Sequence, residues 1–237
     1  MSDARTSKVA VLGIGRMGGA MAARFAGAGH DLVLWNRDRA KAEAAAQLIG
    51  AAVAASPQEA ASAASTVLSS LADDAALRSV YLEDGGVVGG VGEGALVIDT
   101  STVDPATIEE IGAAIDATGA AFLDCPVSGS VATVEAGALV VMAGGDADVV
   151  ARAEPLLAAI AKQVVHVGGR GTGAACKLAV NALVHGLNIS LSEALVLAEK
   201  AGVGRETAYE VFAGGAGGAP FVHYKRDAFQ HPDTASV

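Results

Sequence analysis

The chain alternates short β-branched runs with longer alanine-rich stretches in which apolar residues recur every three or four positions. KVAVL (8–12), DLVLW (31–35), TVLSS (66–70), ALVID (95–99), AAFLD (120–124), ALVVMA (138–143) and QVVHV (163–167) read as strands. Helix-length segments separate most of them. That alternation predicts crossover connections and a mostly parallel sheet with helices on both faces. Ser56-Pro57 precedes QEAASAA and Asp104-Pro105 precedes ATIEEIGAAI, so each sets proline at a first helical position.

Beyond Gly171 the pattern changes. Residues 172–201 run without proline, hold only isolated glycines at 173 and 186, and keep helical spacing up to Gly202. At 1.5 Å per residue such a helix is about 45 Å long, too long for a crossover. It predicts the spine of a second, all-helical domain. A shorter helix over 205–213, a GGAGGAP loop at 214–220 and one more helix over 221–230 complete the reading. No internal repeat of fixed period is present.

Gly13-Ile14-Gly15-Arg16-Met17-Gly18 follows the first strand and opens a helix. In such a turn the first glycine makes the bend, the second admits a pyrophosphate close to the backbone, and the third lets helix pack on strand. The helix N-terminus adds free N–H groups and a positive dipole end. With strand, turn, helix and second strand in sequence, the expectation is a Rossmann-type dinucleotide-binding domain over 1–168 and a helical domain over 169–237. The second strand ends at Asn36-Arg37-Asp38-Arg39, where NAD-preferring sites carry an acid against the ribose hydroxyls. Asn36 with Arg37 instead favours the 2′-phosphate of NADP, with NAD still possible. Arg37 and Arg39 could equally solvate a helix start.

Over 237 residues, 52% are hydrophobic and 18% charged, which supplies a sizeable core. The formal net charge of -10 argues against a nucleic-acid partner. Cys125 and Cys176 are too few for a disulfide framework. The N-terminus shows no signal peptide, and charges or glycines are expected to interrupt every apolar stretch before it could span a bilayer. The expectation is a soluble, cytoplasmic protein without a membrane partner.

Hydride transfer to a carbonyl needs a proton donor beside the developing alkoxide. Lys177 stands early in the long helix, after Gly171 and Gly173, among small and apolar residues. Burial there would lower its pKa; the bland alternative is a surface lysine snorkelling from an amphipathic helix. Asn181 lies one turn on, on the same face. Ser128-Gly129-Ser130 follows a strand and is an anion-holding turn or an ordinary one. Ser101 and Thr102, at a strand C-terminus, and Leu71, after the third strand, are placed on the cofactor side, although Thr102 could cap a helix. His30, His166, His185, His223 and His231 are scattered without zinc-ligand spacing, so no metal is expected.

Four segments in order resemble the β-hydroxyacid dehydrogenases, which include 3-hydroxyisobutyrate dehydrogenase and the glyoxylate/succinic semialdehyde reductases and are related to 6-phosphogluconate dehydrogenase. They are LGIGRMGGAMAARFAGAGHDLVLWNR (12–37), VIDTSTVDP (97–105), DCPVSGSVATVEAGALVVMAGG (124–145) and GRGTGAACKLAVN (169–181). The resemblance implies hydride exchange between NADP(H) and a small β-hydroxyacid or semialdehyde. It makes Lys177 the general acid/base, Asn181 its assistant and residues 128–130 the carboxylate site. Separately, the Ala-rich faces of the long helix can bring neighbouring helices close, so a homodimer or homotetramer is expected. The family pattern continues beyond residue 237 into a lysine-containing segment that helps hold the carboxylate, so the second domain is expected to be incomplete. An imine reductase is the enzymatic rival, opposed by Lys177 and the PVSGS segment. The rival of another class is an inactive NADP-binding scaffold, opposed by the intact Lys177 and Asn181.

Overall fold

In the computed structural model, which describes residues 8–231, all seven expected strands form within a residue or two of their runs. The reading that no signal peptide is present falls on positions 1–7, outside the described residues. In chain order the elements begin with β1 (Val9–Leu12), α1 (Arg16–Gly27), β2 (Leu32–Trp35), α2 (Arg39–Ile49), β3 (Ala52–Val53), α3 (Pro57–Ser62), β4 (Thr66–Ser69) and α4 (Asp74–Leu82). There follow β5 (Leu96–Asp99), α5 (Pro105–Asp116), β6 (Ala121–Asp124), β7 (Val127–Ser128), α6 (Val131–Glu135), β8 (Leu139–Gly144), α7 (Ala147–Leu157) and β9 (Ala161–Gly168). The chain then becomes helical, with α8 (Thr172–Lys200), α9 (Arg205–Gly214), α10 (Pro220–Tyr224) and α11 (Arg226–Gln230).

The sheet runs β3-β2-β1-β4-β5-β6-β8-β7, with β9 paired to β8. From β3 to β6 every pairing is parallel, whereas β6–β8 and β7–β8 are antiparallel. Alternate residues of β1 enter two different cores. Val9 and Val11 pack with α1, α2 and α7, while Ala10 and Leu12 pack with α3, α4 and α5. All four are fully buried, as a strand covered on both faces requires. Both proline-marked starts form as expected. The Ser56 hydroxyl accepts from the Glu59 N–H, and the Asp104 carboxylate accepts from that of Ala106.

The chain divides into two compact units, one ending at Leu178 and the other beginning at Ala179, so the division falls inside α8. The second unit has its own core of Leu191, Leu195, Ala208, Tyr209, Ala213, Phe221 and Val222. Two expectations need correction. The last helix is two short ones, interrupted at Lys225, beside which the Arg226 guanidinium pairs with Glu210 on α9. Also, α8 is by length and composition apolar enough to cross a membrane. A lone glycine at 186 does not break a helix, and charges on it are sparse.

Candidate active site

The sheet order reverses between β1 and β4, and in open α/β sheets ligands bind where strand ends diverge at such a point. The chain leaves β1 through Gly13 at φ +89°. A methyl group there would stand 2.3 Å from the Ser70 carbonyl oxygen, and one on Gly18 would stand 2.0 Å from that of Gly13. Only glycine fits either place. Gly15 is the opposite case: nothing lies within 4 Å of where its Cβ would be. No side chain caps α1 and no acid occupies its first turn, whereas α3, α4 and α5 are capped by Ser56, Asp73 and Asp104. Among the described residues no side chain caps the first N–H groups of α1, and there is open space at Gly15, so this cradle fits the pyrophosphate of a dinucleotide. Arg16 is exposed beside it, Ile14 is buried and Met17 packs on the core.

Asn36 does more than mark a strand end. Its Oδ1 accepts the Ile14 N–H at 2.9 Å, and its Nδ2 donates to the Asp38 carbonyl at 2.9 Å, bracing the glycine turn against the end of β2. Arg39 is paired with Glu43 at 2.7 Å. Arg37 is exposed and, among the described residues, has no ion-pair partner. Thr102 is exposed and does not cap α5, since Asp104 does.

Ser101 is buried and links two loops. Its hydroxyl accepts the Leu71 N–H at 2.9 Å and donates to Asp99 Oδ1 at 2.7 Å. Asp99, at the end of β5, is fully buried, and burial pushes its carboxyl up to about 6. It also accepts from Ser69 Oγ at 2.5 Å and from the Ser101 N–H at 3.2 Å. The Tyr81 hydroxyl lies 2.7 Å from Ser69 Oγ. Reasoning from sequence passed over Asp99, Ser69 and Tyr81, because a lone acid at a strand end looks solvated until the fold closes round it.

Asp124 was missed for the same reason. It stands opposite Asp99 on β6 and is fully buried. Its Oδ1 accepts the Gly171 N–H at 3.0 Å and its Oδ2 that of Ala174 at 2.8 Å. A buried carboxylate thus caps α8 and favours its positive end. The fit is tight: a methyl group on Gly173 would lie 2.5 Å from the Asp124 carbonyl oxygen, and one on Gly144 2.7 Å from the Gly173 nitrogen.

Lys177 sits on α8 one turn beyond Ala174 and is half-buried. Burial, which penalises the ammonium, holds its amine below the ordinary lysine range. Asn181 is partly buried one turn further along. Ser128 lies in β7, opposite Val140, rather than in a free turn. Gly129 adopts φ +145°, and Ser130 starts α6, its N–H donating to Thr133 Oγ1 at 3.1 Å. Among the described residues no hydrogen bond joins Lys177 to Asn181, Ser128 or Ser130. His166 Nε2 donates to the Gly145 carbonyl at 2.8 Å, a structural hydrogen bond. Among the described residues no group of His, Cys, Asp or Glu could hold a metal.

Residues 8–168 match the family model for the NAD binding domain of 6-phosphogluconate dehydrogenase. Residues 171–233 match that for the NAD-binding segment of NADP-dependent 3-hydroxyisobutyrate dehydrogenase. The chain is 34% identical to glyoxylate/succinic semialdehyde reductase 2, chloroplastic, of Arabidopsis thaliana, over 93% of this chain and 61% of that protein. It therefore spans less than two thirds of that relative's length. It is 35% identical to 3-sulfolactaldehyde reductase of Escherichia coli (strain K12), over 89% of this chain and 70% of that one. The solved structure of Mycobacterium tuberculosis 3-hydroxyisobutyrate dehydrogenase with L-serine is 34% identical, with a TM-score of 0.83 over 92% of this chain and 74% of its own.

Proposed function

This chain belongs to the β-hydroxyacid dehydrogenase family, and on that premise we propose that it interconverts a small β-hydroxyacid and its semialdehyde or oxo form, with NADP(H) preferred over NAD(H). One observation carries the reading: a half-buried amine of lowered pKa, Lys177, rides on a helix whose first turn is bound to the strand ends by Asp124. A nicotinamide dinucleotide, when bound, supplies or accepts the hydride. Lys177 gives its proton to the substrate oxygen during reduction and takes it back during oxidation. Asn181 hydrogen-bonds the substrate or orients the amine. Residues 128–130 hold the substrate carboxylate. Arg37, which has no ion-pair partner among the described residues, is suited to a 2′-phosphate. The matched segment described as NADP-dependent supports the same preference. The names of the three relatives given above concern short acidic aldehydes or hydroxyacids and support the substrate class.

The test is oxidation of NADPH and of NADH with glyoxylate, succinic semialdehyde and a cyclic imine, repeated with Lys177→Ala. Turnover of an acidic aldehyde is expected, and the substitution should lower kcat roughly 10²–10⁴-fold while NADPH still binds. Binding without turnover of any substrate would identify a scaffold instead. Preference for the imine would reverse the substrate assignment.

A further inference from the structure

Every donor in the network below the cofactor loops points the same way. The Ser101 N–H and hydroxyl both donate to Asp99, so the Ser101 oxygen is left to receive the Leu71 N–H. Ser69 likewise donates to Asp99, so the Tyr81 hydroxyl can donate to Ser69. The Leu71 side chain in turn lies against Gly13, where an added Cβ would come within 2.9 Å of its Cδ2. One buried carboxylate at the end of β5 therefore sets the loop after β4, the loop after β5 and, through Leu71, the surroundings of the glycine turn.

We propose that Asp99 is a positioning residue for the cofactor pocket: its ionised carboxylate aligns Ser101 and Leu71, and loss of that charge releases both loops together. The inference rests on the cofactor site proposed above. Protonated, Asp99 carries a hydroxyl on one oxygen and is a poorer acceptor than the carboxylate, so its three incoming bonds weaken. The longest of these, from the Ser101 N–H at 3.2 Å, is the first to go. The groups around it are few. Tyr81 faces it from α4, and Asp124 and Cys125 from β6 and its end. β4 contains no ionisable residue, and α5 turns Thr107, Ile108 and Ile111 inward while Glu109 and Glu110 are exposed. Desolvation raises the Asp99 pKa, the Ser69 and Ser101 donors pull it down, and the Asp124 charge pushes it up again, to about 6. The charge is therefore kept at neutral pH and lost in mild acid.

The sign for stability runs the other way. A carboxyl whose pKa is raised on folding costs stability while ionised, and that cost fades as pH falls through about 6. Asp99→Asn removes the buried charge and keeps an acceptor for the serine hydroxyls. It should therefore melt no lower than the unsubstituted protein at pH 8, while holding the cofactor less well.

The experiment is fluorescence titration with NADH and with NADPH from pH 5 to 8, alongside thermal melts, on the unsubstituted chain, Asp99→Asn and Ser101→Ala. NADH is essential because it lacks the 2′-phosphate, whose own ionisation would confuse the profile. NADH affinity is expected to weaken as pH falls through about 6, and to be roughly tenfold weaker and flat with pH in Asp99→Asn. Ser101→Ala should weaken it too. Should Asp99→Asn fail to fold, the unsubstituted profile and Ser101→Ala still decide. A flat unsubstituted profile, or a pH dependence that persists in a folded Asp99→Asn, overturns the inference alone. No binding of either nucleotide to the unsubstituted chain overturns the cofactor reading and this inference with it.

Discussion

At the scale of the residue, function and comfort pull apart. Lys177 is held below the ordinary lysine range by burial, so its ammonium costs the fold something at neutral pH, and that cost fades as pH rises through its lowered folded pKa. Lys177→Met should accordingly melt no lower than the unsubstituted chain at pH 7, although it removes the proposed proton donor. Carbonyl reduction should fall as pH rises through the lowered pKa and hydroxyacid oxidation should rise, a crossing visible in paired pH–rate profiles. Arg37 offers the second check at this scale: Arg37→Ala should raise the KM for NADPH roughly tenfold or more and leave that for NADH unchanged. Both side chains could be picked out of the sequence because their setting is local, a lysine in an apolar helix and an arginine after a strand. Asp99 and Asp124 could not. Each ends a strand as many solvated acids do, and only the neighbouring strand and the start of α8 show that they are buried. Asn36 was read as a strand-end residue; its grip on Ile14 spans 22 residues and no spacing rule reaches that far.

At the scale of the element, α8 depends on a carboxylate from a strand. Asp124→Ala would strand the Gly171 and Ala174 N–H groups in a buried place, at about 1–3 kcal/mol for each unsatisfied donor. Urea denaturation should show that loss, with Asp124→Asn between the two because one acceptor survives. The seven longer strands and the capped helices were legible because hydrophobic period and helix-start chemistry are carried within each segment. The two-residue strands β3 and β7 are too short to have a period. They exist because β2 and β8 offer them an edge, which is tertiary information. The break at Lys225 escaped notice for the same reason: nothing in FVHYKRDAFQ interrupts a helix by composition.

At the scale of the whole molecule, the second unit is unevenly clothed. Leu183 is 65% exposed, Leu197 72% and Val211 66%, and Ile189 is exposed among them. Apolar surface of this kind calls for cover. The chain is expected to sediment as a homodimer or homotetramer, and Leu183→Glu with Leu197→Glu should lower that mass in analytical ultracentrifugation. A monomeric unsubstituted chain would refute the expectation. The boundary between units was readable only as a change of pattern near residue 168. The compact division comes ten residues later because Asp124, Gly144 and Gly173 hold the opening turns of α8 to the sheet. Since that frontier is crossed by an unbroken helix, no loop is available as a splice point. A hybrid enzyme stitched from two relatives there would have to conserve helical phase, for one surplus residue would swing everything downstream on α8 through about 100°.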